Sequence, residues 1–180
     1  MKKIISMLLA SAITASSMVS VMAADRFSDV TDEHWAKEYV EDMAARGIIS
    51  GFEDGTYKPE QDVSRRDAFA LFARLIGSTN ESNKDVLEIA KEKYKDILKD
   101  YQLTYAEGDI AFLLYRGVID EEDLDKYFKD TKKTESMQRY EAAILITKAM
   151  LAEDAATNEV LIDLAYDDVA EIPSEAKQYV

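Results

Sequence analysis

Apolar residues recur along this chain at helical spacing. Trp35, Tyr39, Val40, Met43 and Ala44 fall on one face of a short predicted helix, and Gly47 stands where such a helix stops. A second predicted helix carries Ala68, Phe69, Leu71, Phe72, Leu75 and Ile76, a stripe wide enough to bury against a neighbour. Both patterns return further along, first as Tyr105, Ile110, Leu113, Leu114 and Gly117, then over Ala142 to Leu151. Between the first two helices, Asp54-Gly55 and Lys58-Pro59 are turn signals inside the stretch Ser50 to Pro59. They predict an ordered loop with short extended pieces at Ile48-Ile49 and Tyr57. Residues 78–93 begin polar and then read Val86, Ile89, Ala90 as a connecting helix. The acidic stretch Asp120 to Asp130 predicts a helical turn where the first loop is glycine-rich.

The recurrence extends to individual markers in order. Phe27-Ser28-Asp29-Val30, Trp35-Ala36, Arg46-Gly47-Ile48-Ile49 and Ser64-Arg65-Arg66-Asp67-Ala68 return as Tyr94-Lys95-Asp96-Ile97, Tyr105-Ala106, Arg116-Gly117-Val118-Ile119 and Gln138-Arg139-Tyr140-Glu141-Ala142. A third start, Tyr166-Asp167-Asp168-Val169, leads to Ala176-Lys177-Gln178-Tyr179-Val180, which echoes Ala36 to Val40 at a separation of 140 residues. Gly47 and Gly117 stand 70 residues apart, half that distance. The reading is mainly α, in tandem helix-loop-helix repeats: repeat 1 over 24–77, a connecting helix over 78–93 and a degenerate repeat 2 over 94–153. A linker over 154–165 and the truncated start of repeat 3 over 166–180 complete it.

The N-terminus changes the picture of where the chain works. Lys2 and Lys3 precede an apolar and small-residue run from Ile4 to Val21, and Val21-Met22-Ala23 offers small residues to a signal peptidase. Residues 1–23 are therefore read as a signal peptide cleaved after Ala23, giving a secreted protein of the cell surface with no membrane segment after cleavage. No cysteine is present, so an exported chain of this kind depends on a packed core rather than disulfides. Net charge is −14, and −16 once the two lysines of residues 1–23 are removed. Such a chain repels nucleic acid and anionic lipid, and an anionic ligand must be held by a few local cationic and amide groups. Solubility at the cell surface accounts for most of the excess acid.

Phe27 to Val30, His34-Trp35-Ala36, Gly47 to Gly51, Asp54 to Pro59 and the helix start Ser64 to Ala68 resemble, in that order, the S-layer homology family. The likeness covers essentially the whole mature chain, strongly in repeat 1 and weakly in repeat 2. It implies repeats packed about a pseudo-threefold axis. The grooves between them would hold a secondary cell-wall polymer, a peptidoglycan-linked glycan often carrying pyruvylated sugars, without cleaving it. The family's groove aspartate, tryptophan, loop glycine and helix-start arginine fall on Asp29, Trp35, Gly51 and Arg65. Repeat 2 offers Asp96 and Arg139, with Tyr105 in place of the tryptophan.

The residues themselves bear on these positions. Ser64 is a good N-cap, and Asp67 three residues on completes a capping-box pattern. Free N–H groups and the positive helix end then face outward, with Arg65 able to grip a carboxylate or phosphate bidentately. A cation in the first turn is mildly unfavourable to the helix, which a ligand role would explain. Pairing of Arg65 with an acidic residue of the loop or of the next repeat is the equally weighted alternative, and the resemblance turns it to ligand. Trp35 reads either as core or as a groove wall with one ring face offered to a sugar. Gly51 and Gly55 read first as turn requirements. Repeat 2 has Gln138 where a capping Ser or Thr is expected, lacks the loop glycines and has no tryptophan. Repeat 3 has Glu175 at the tryptophan position, so three equivalent sites are not expected.

Catalytic chemistry is not indicated. There is one histidine, no cysteine, no serine elbow and no phosphate-cradling loop, and His34 reads as a cap or packing residue. Asp120, Glu121, Glu122, Asp123 and Asp125 lack the spacing of a calcium loop and read as a solvated face, so neither metal nor cofactor is expected. The leading reading is a non-catalytic module that anchors a surface or S-layer protein to a wall polymer. The alternative is a structural or protein-interaction module of a surface assembly that has lost polymer binding. A third unit without its second helix would leave apolar surface open to self-association.

Overall fold

The computed structural model describes residues 26–150 and 169–179. The signal peptide, the 154–165 linker and the Tyr166-Asp167-Asp168 start of the predicted third repeat lie outside them. Among the described residues the fold is helical: α1 (Lys37–Ala45), α2 (Arg65–Leu75), α3 (Lys84–Leu98), α4 (Glu107–Tyr115), α5 (Glu121–Phe128) and α6 (Arg139–Ala149). A short 3-10 segment, Ser174–Tyr179, packs against α6. No strand forms among these residues. The extended pieces expected at Ile48-Ile49 and Tyr57 are absent, and the sole β-type pairing is an isolated antiparallel bridge between Ser64 and Ser136.

The main core is built where α2, α3, α4, α5 and α6 meet. Phe69, Leu98, Ile110, Phe112, Leu113, Leu124 and Phe128 are all but sealed from solvent. Helix α4 is apolar around most of its circumference because α2 and α3 both cover it. Phe69 of α2 meets Phe128 edge-on at 4.9 Å and Tyr127 at 5.0 Å, an aromatic joint between the two predicted repeats.

A second, smaller core holds α1 against its own loop. Phe27, Val30, Ala36, Val40 and Ala44 are buried there, with Ile49 and Tyr57 at its edge. The inward stripe of α1 is thus Ala36, Val40, Ala44, at four-residue spacing. Trp35 and Tyr39, expected on the same face, point to solvent at 80% and 65% exposure. The periodicity was sound but its phase was off by one residue, because two large aromatics outweigh two alanines in a pattern that counts size.

Local closures recur 70 residues apart. Ile48 N–H donates to Met43 O (3.0 Å) and Gly47 N–H to Ala44 O (3.1 Å). Val118 N–H donates to Leu113 O (3.0 Å) and Gly117 N–H to Leu114 O (3.1 Å). Both glycines are left-handed, at φ 72° and 70°, so α1 and α4 end in the same paired-bond cap. The likeness stops at the motif start. Phe27 to Val30 is a turn, whereas Tyr94 to Ile97 is the last part of α3, so the 93/94 boundary falls inside a continuous helix.

Candidate functional site

Asp29 organises the loop of the first unit. Its carboxylate accepts the Tyr57 N–H at 2.8 Å and the Lys58 N–H at 2.7 Å, pinning the chain just before Pro59. The Tyr57 bond foremost, with help from Lys58 and against a small burial penalty, holds the carboxyl below the ordinary aspartate value of 3.8. A depressed folded value means the clasp contributes stability above pH 3.8 and loses it as pH falls through the lowered value. Amide exchange at Tyr57 and Lys58 should therefore accelerate on acidification below that point, before exchange in α4 does. Lys58 itself lies in the left-handed region at φ 59°, with its ammonium 4.1 Å from the centre of the Phe52 ring.

Gly51 closes the other side of this loop. It sits at φ 70°, and an added Cβ would run into the Phe27 ring and come within 2.7 Å of Thr56 O. Gly51→Ala is expected to cost about 2 kcal/mol through left-handed strain and overlap together. Urea denaturation followed by Trp35 fluorescence would measure it.

These constraints shape a groove of about 590 Å³. One wall is the loop from Ile49 to Val63, including Phe52 and Lys58. The floor is α2 at Asp67, Ala70, Leu71 and Arg74, and Tyr105 closes the far end from the next unit. The Tyr105 hydroxyl donates to Asp67 Oδ1, and Arg66 lies 4.8 Å from the centre of its ring. Burial first, then the Asp67 hydrogen bond, pushes the Tyr105 phenol above its ordinary value, so it remains a donor at any physiological pH. Apolar ring faces, carboxylates and cations thus converge in one cleft. That composition suits a sugar with a charged substituent and supplies no nucleophile and base in mutual reach.

Arg65 points elsewhere. Ser64 caps α2 by accepting the Asp67 N–H at 3.2 Å, but only half of the expected capping box forms, since the Asp67 carboxylate is engaged by Tyr105. The guanidinium of Arg65 crosses to the next unit. Its Nε is 3.1 Å from both oxygens of Glu141, its Nη2 is 3.0 Å from Glu141 Oε1 and its Nη1 is 2.6 Å from Glu135 Oε2. Burial works against its charge, but the Glu141 and Glu135 hydrogen bonds outweigh that and raise it above its ordinary value. Glu141 also accepts the Gln138 N–H at 2.9 Å, doing at the start of α6 the work that Gln138 was not expected to support.

The other named positions are dispersed. Trp35 stacks on His34 at 5.9 Å, away from the groove, and His34 caps the approach to α1 by accepting the Ala36 N–H at 3.1 Å. Asp96 lies exposed near the end of α3 and its carboxylate makes none of the backbone bonds that Asp29 makes. Arg139 is the exposed first residue of α6 and forms no ion pair among the described residues. The groove therefore gathers Gly51 and Tyr105, with Asp29 anchoring its loop, but not Trp35, Arg65, Asp96 or Arg139. Phe52, Lys58 and Arg74 were not singled out from the sequence. Phe52 and Lys58 stand beside the loop motif and could have been found by asking what its turn displays. Arg74 is tied to buried Asp109 (3.1 Å), which also accepts the Ser78 hydroxyl (2.6 Å), a pairing that no local spacing announces. No group of metal-binding side chains occurs among the described residues.

A helical module with a clefted surface and no catalytic constellation is the class this geometry defines. The S-layer homology domain model matches residues 26–69, the stretch that builds the loop and the first half of α2. The chain carries an S-layer homology domain and is a cell-surface protein of that family, whose members anchor surface layers and are not enzymes. Outer membrane protein SlpA of Thermus thermophilus is 45% identical over 84 residues, covering 47% of this chain and 9% of that protein. S-layer protein EA1 of Bacillus anthracis is 26% identical over 161 residues, covering 89% of this chain and 17% of that one. A cellulosome-anchoring protein of Acetivibrio thermocellus is 35% identical over 69 residues, covering 36% and 15%. The chain spans less than a fifth of the length of these relatives. No solved structure matches.

Proposed function

We propose that this chain holds a surface protein to the bacterial wall by binding a secondary cell-wall polymer, non-covalently, in the groove between the Ile49–Val63 loop, α2 and Tyr105. The observation that carries the reading is the groove itself, which offers exposed ring faces at Phe52 and Tyr105 beside Lys58 and Arg66. A pyruvylated sugar fits that chemistry: the rings take the sugar face and the cations take the pyruvate carboxylate. The tandem-repeat architecture supports the same reading. The paired caps at Gly47 and Gly117, the docking of α4 on α2 and the docking of the 174–179 segment on α6 all recur in order. Packing of three such units about a pseudo-threefold axis would place further grooves at the later boundaries.

One observation favours the structural alternative. Arg65, the natural anion ligand, is consumed by carboxylates of the next unit, as expected of a module whose helix starts join repeats to each other. Sedimentation with purified sacculi separates the two readings. Pelleting by the wild type that is lost after the non-peptidoglycan polymer is stripped, and weakened about fivefold by Phe52→Ala, supports anchoring through the groove. Equal pelleting by Phe52→Ala, or none by either protein, favours the structural module. The Phe52 side chain is half exposed, so its removal leaves the fold intact.

A further inference from the structure

Positive charge in this acidic chain is concentrated in one place the groove does not use. Between residues 126 and 139, five cations (Lys126, Lys129, Lys132, Lys133 and Arg139) face two carboxylates, Asp130 and Glu135, a net +3 in a chain at −14. Glu135 is already engaged by Arg65, which deepens the local excess. Only Lys129 has a carboxylate partner among the described residues, Asp125 at 2.7 Å. The Lys132 and Lys133 ammoniums instead donate to the backbone carbonyls of Asp125 (3.0 Å) and Asp130 (2.9 Å). Lys126 lies 4.9 Å from the centre of the Tyr127 ring.

The fold brings these side chains to one corner. The 3-10 turn Lys132–Thr134 packs on α5, and Asp130 at φ 56° turns the chain between them. Lys132 O accepts from Arg65 Nη1 at 3.3 Å, which sets the corner against the boundary between the two units. A surface made mostly of lysines, without an arginine fork aimed into a pocket, suits spread negative charge rather than one bidentate anion. None of the large exposed apolar side chains lies between residues 126 and 139, so the corner has nothing to insert into a bilayer.

We propose that the corner formed by the end of α5 and the turn to α6 is a second contact surface, separate from the groove, for a soluble polyanion with repeated charges such as a phosphate-bearing wall polymer. It rests on the wall-anchoring reading for the source of the polymer and on the corner's own charges for the binding. Attraction at this corner counters the repulsion of the rest of the chain and orients the molecule with its second unit toward the polymer.

The test is fluorescence anisotropy of labelled long-chain inorganic polyphosphate titrated with the full chain at low ionic strength. Lys126→Gln/Lys132→Gln/Lys133→Gln should weaken binding about tenfold, the order expected of three solvent-screened ionic contacts. Lys84→Gln/Lys91→Gln/Lys95→Gln, which removes the same charge from α3, should change it less than about twofold. Equal weakening by both triple variants would reduce the effect to net charge and overturn the proposal, as would no binding of polyphosphate by the wild type. Tighter binding to phosphatidylglycerol vesicles than to polyphosphate would assign the corner to a membrane instead. Phe52→Ala should bind polyphosphate like the wild type, so failure of the groove reading leaves this result standing.

Discussion

Arg65→Ala is expected to lower the stability of the folded chain by about 3 kcal/mol, because it strands a carboxylate that cannot reach water. The Glu141 side chain is 5% exposed and its ion-pair partner is the Arg65 guanidinium. The Gln138 N–H remains to Glu141 but does not neutralise it. Double-mutant urea denaturation gives the test: Arg65→Ala and Glu141→Ala should be far less than additive, because the second substitution removes the charge the first leaves bare. Simple additivity, or a cost near zero for Arg65→Ala, would mean the pair does not hold the two units together. The same result governs any binding experiment with Arg65→Ala, where weaker pelleting would report lost structure as readily as lost contact.

Phe69→Ala should cost about 4 kcal/mol and should unfold more than its own helix. Phe69 is 1% exposed and joins α2 to α5 through Tyr127 and Phe128. Its loss opens a cavity at the centre of the main core, and α4 loses cover on one side. Val40→Ala, by contrast, touches only the small core beneath α1 and should cost about 1 to 2 kcal/mol. Hydrogen exchange distinguishes them: Val40→Ala should raise exchange in α1 and the Gly51 loop while α4 stays protected, and Phe69→Ala should raise exchange throughout. Uniform acceleration by both would show that the two cores form one cooperative unit.

Much of this molecule was legible in its sequence. Helical periodicity marked most of the helices, Ser64 announced the start of α2, and Gly47 and Gly117 marked helix stops that the structure closes with identical bonds. The acidic stretch after Gly117 forms α5, with Asp120 accepting the Glu122 and Asp123 N–H groups. What sequence could not carry was the direction of side chains and the partners of charges. A helical wheel places Trp35 beside Val40, yet α1 turns its alanines inward because its only cover is a thin loop. Arg65 looked equally able to bind a ligand or an acidic neighbour, and the neighbour lies 76 residues away in sequence. Tyr94 to Ile97 matched a turn motif by residue type but continues a helix, because the apolar spacing of Ala90, Tyr94 and Leu98 buries one face of α3 without interruption. A motif fixes residue types, whereas hydrogen-bond and packing partners decide which of those residues meet.

The groove as the anchoring site is tested most directly by nuclear magnetic resonance, titrating wall-polymer fragments released from sacculi into the isotope-labelled protein. Shifts at the amides of Gly51, Phe52, Lys58 and Tyr105, with the Nε resonance of Arg65 unmoved, are the expected result. Movement of the Arg65 Nε resonance together with the Glu141 amide, or shifts confined to Trp35 and its neighbours on α1, would contradict it.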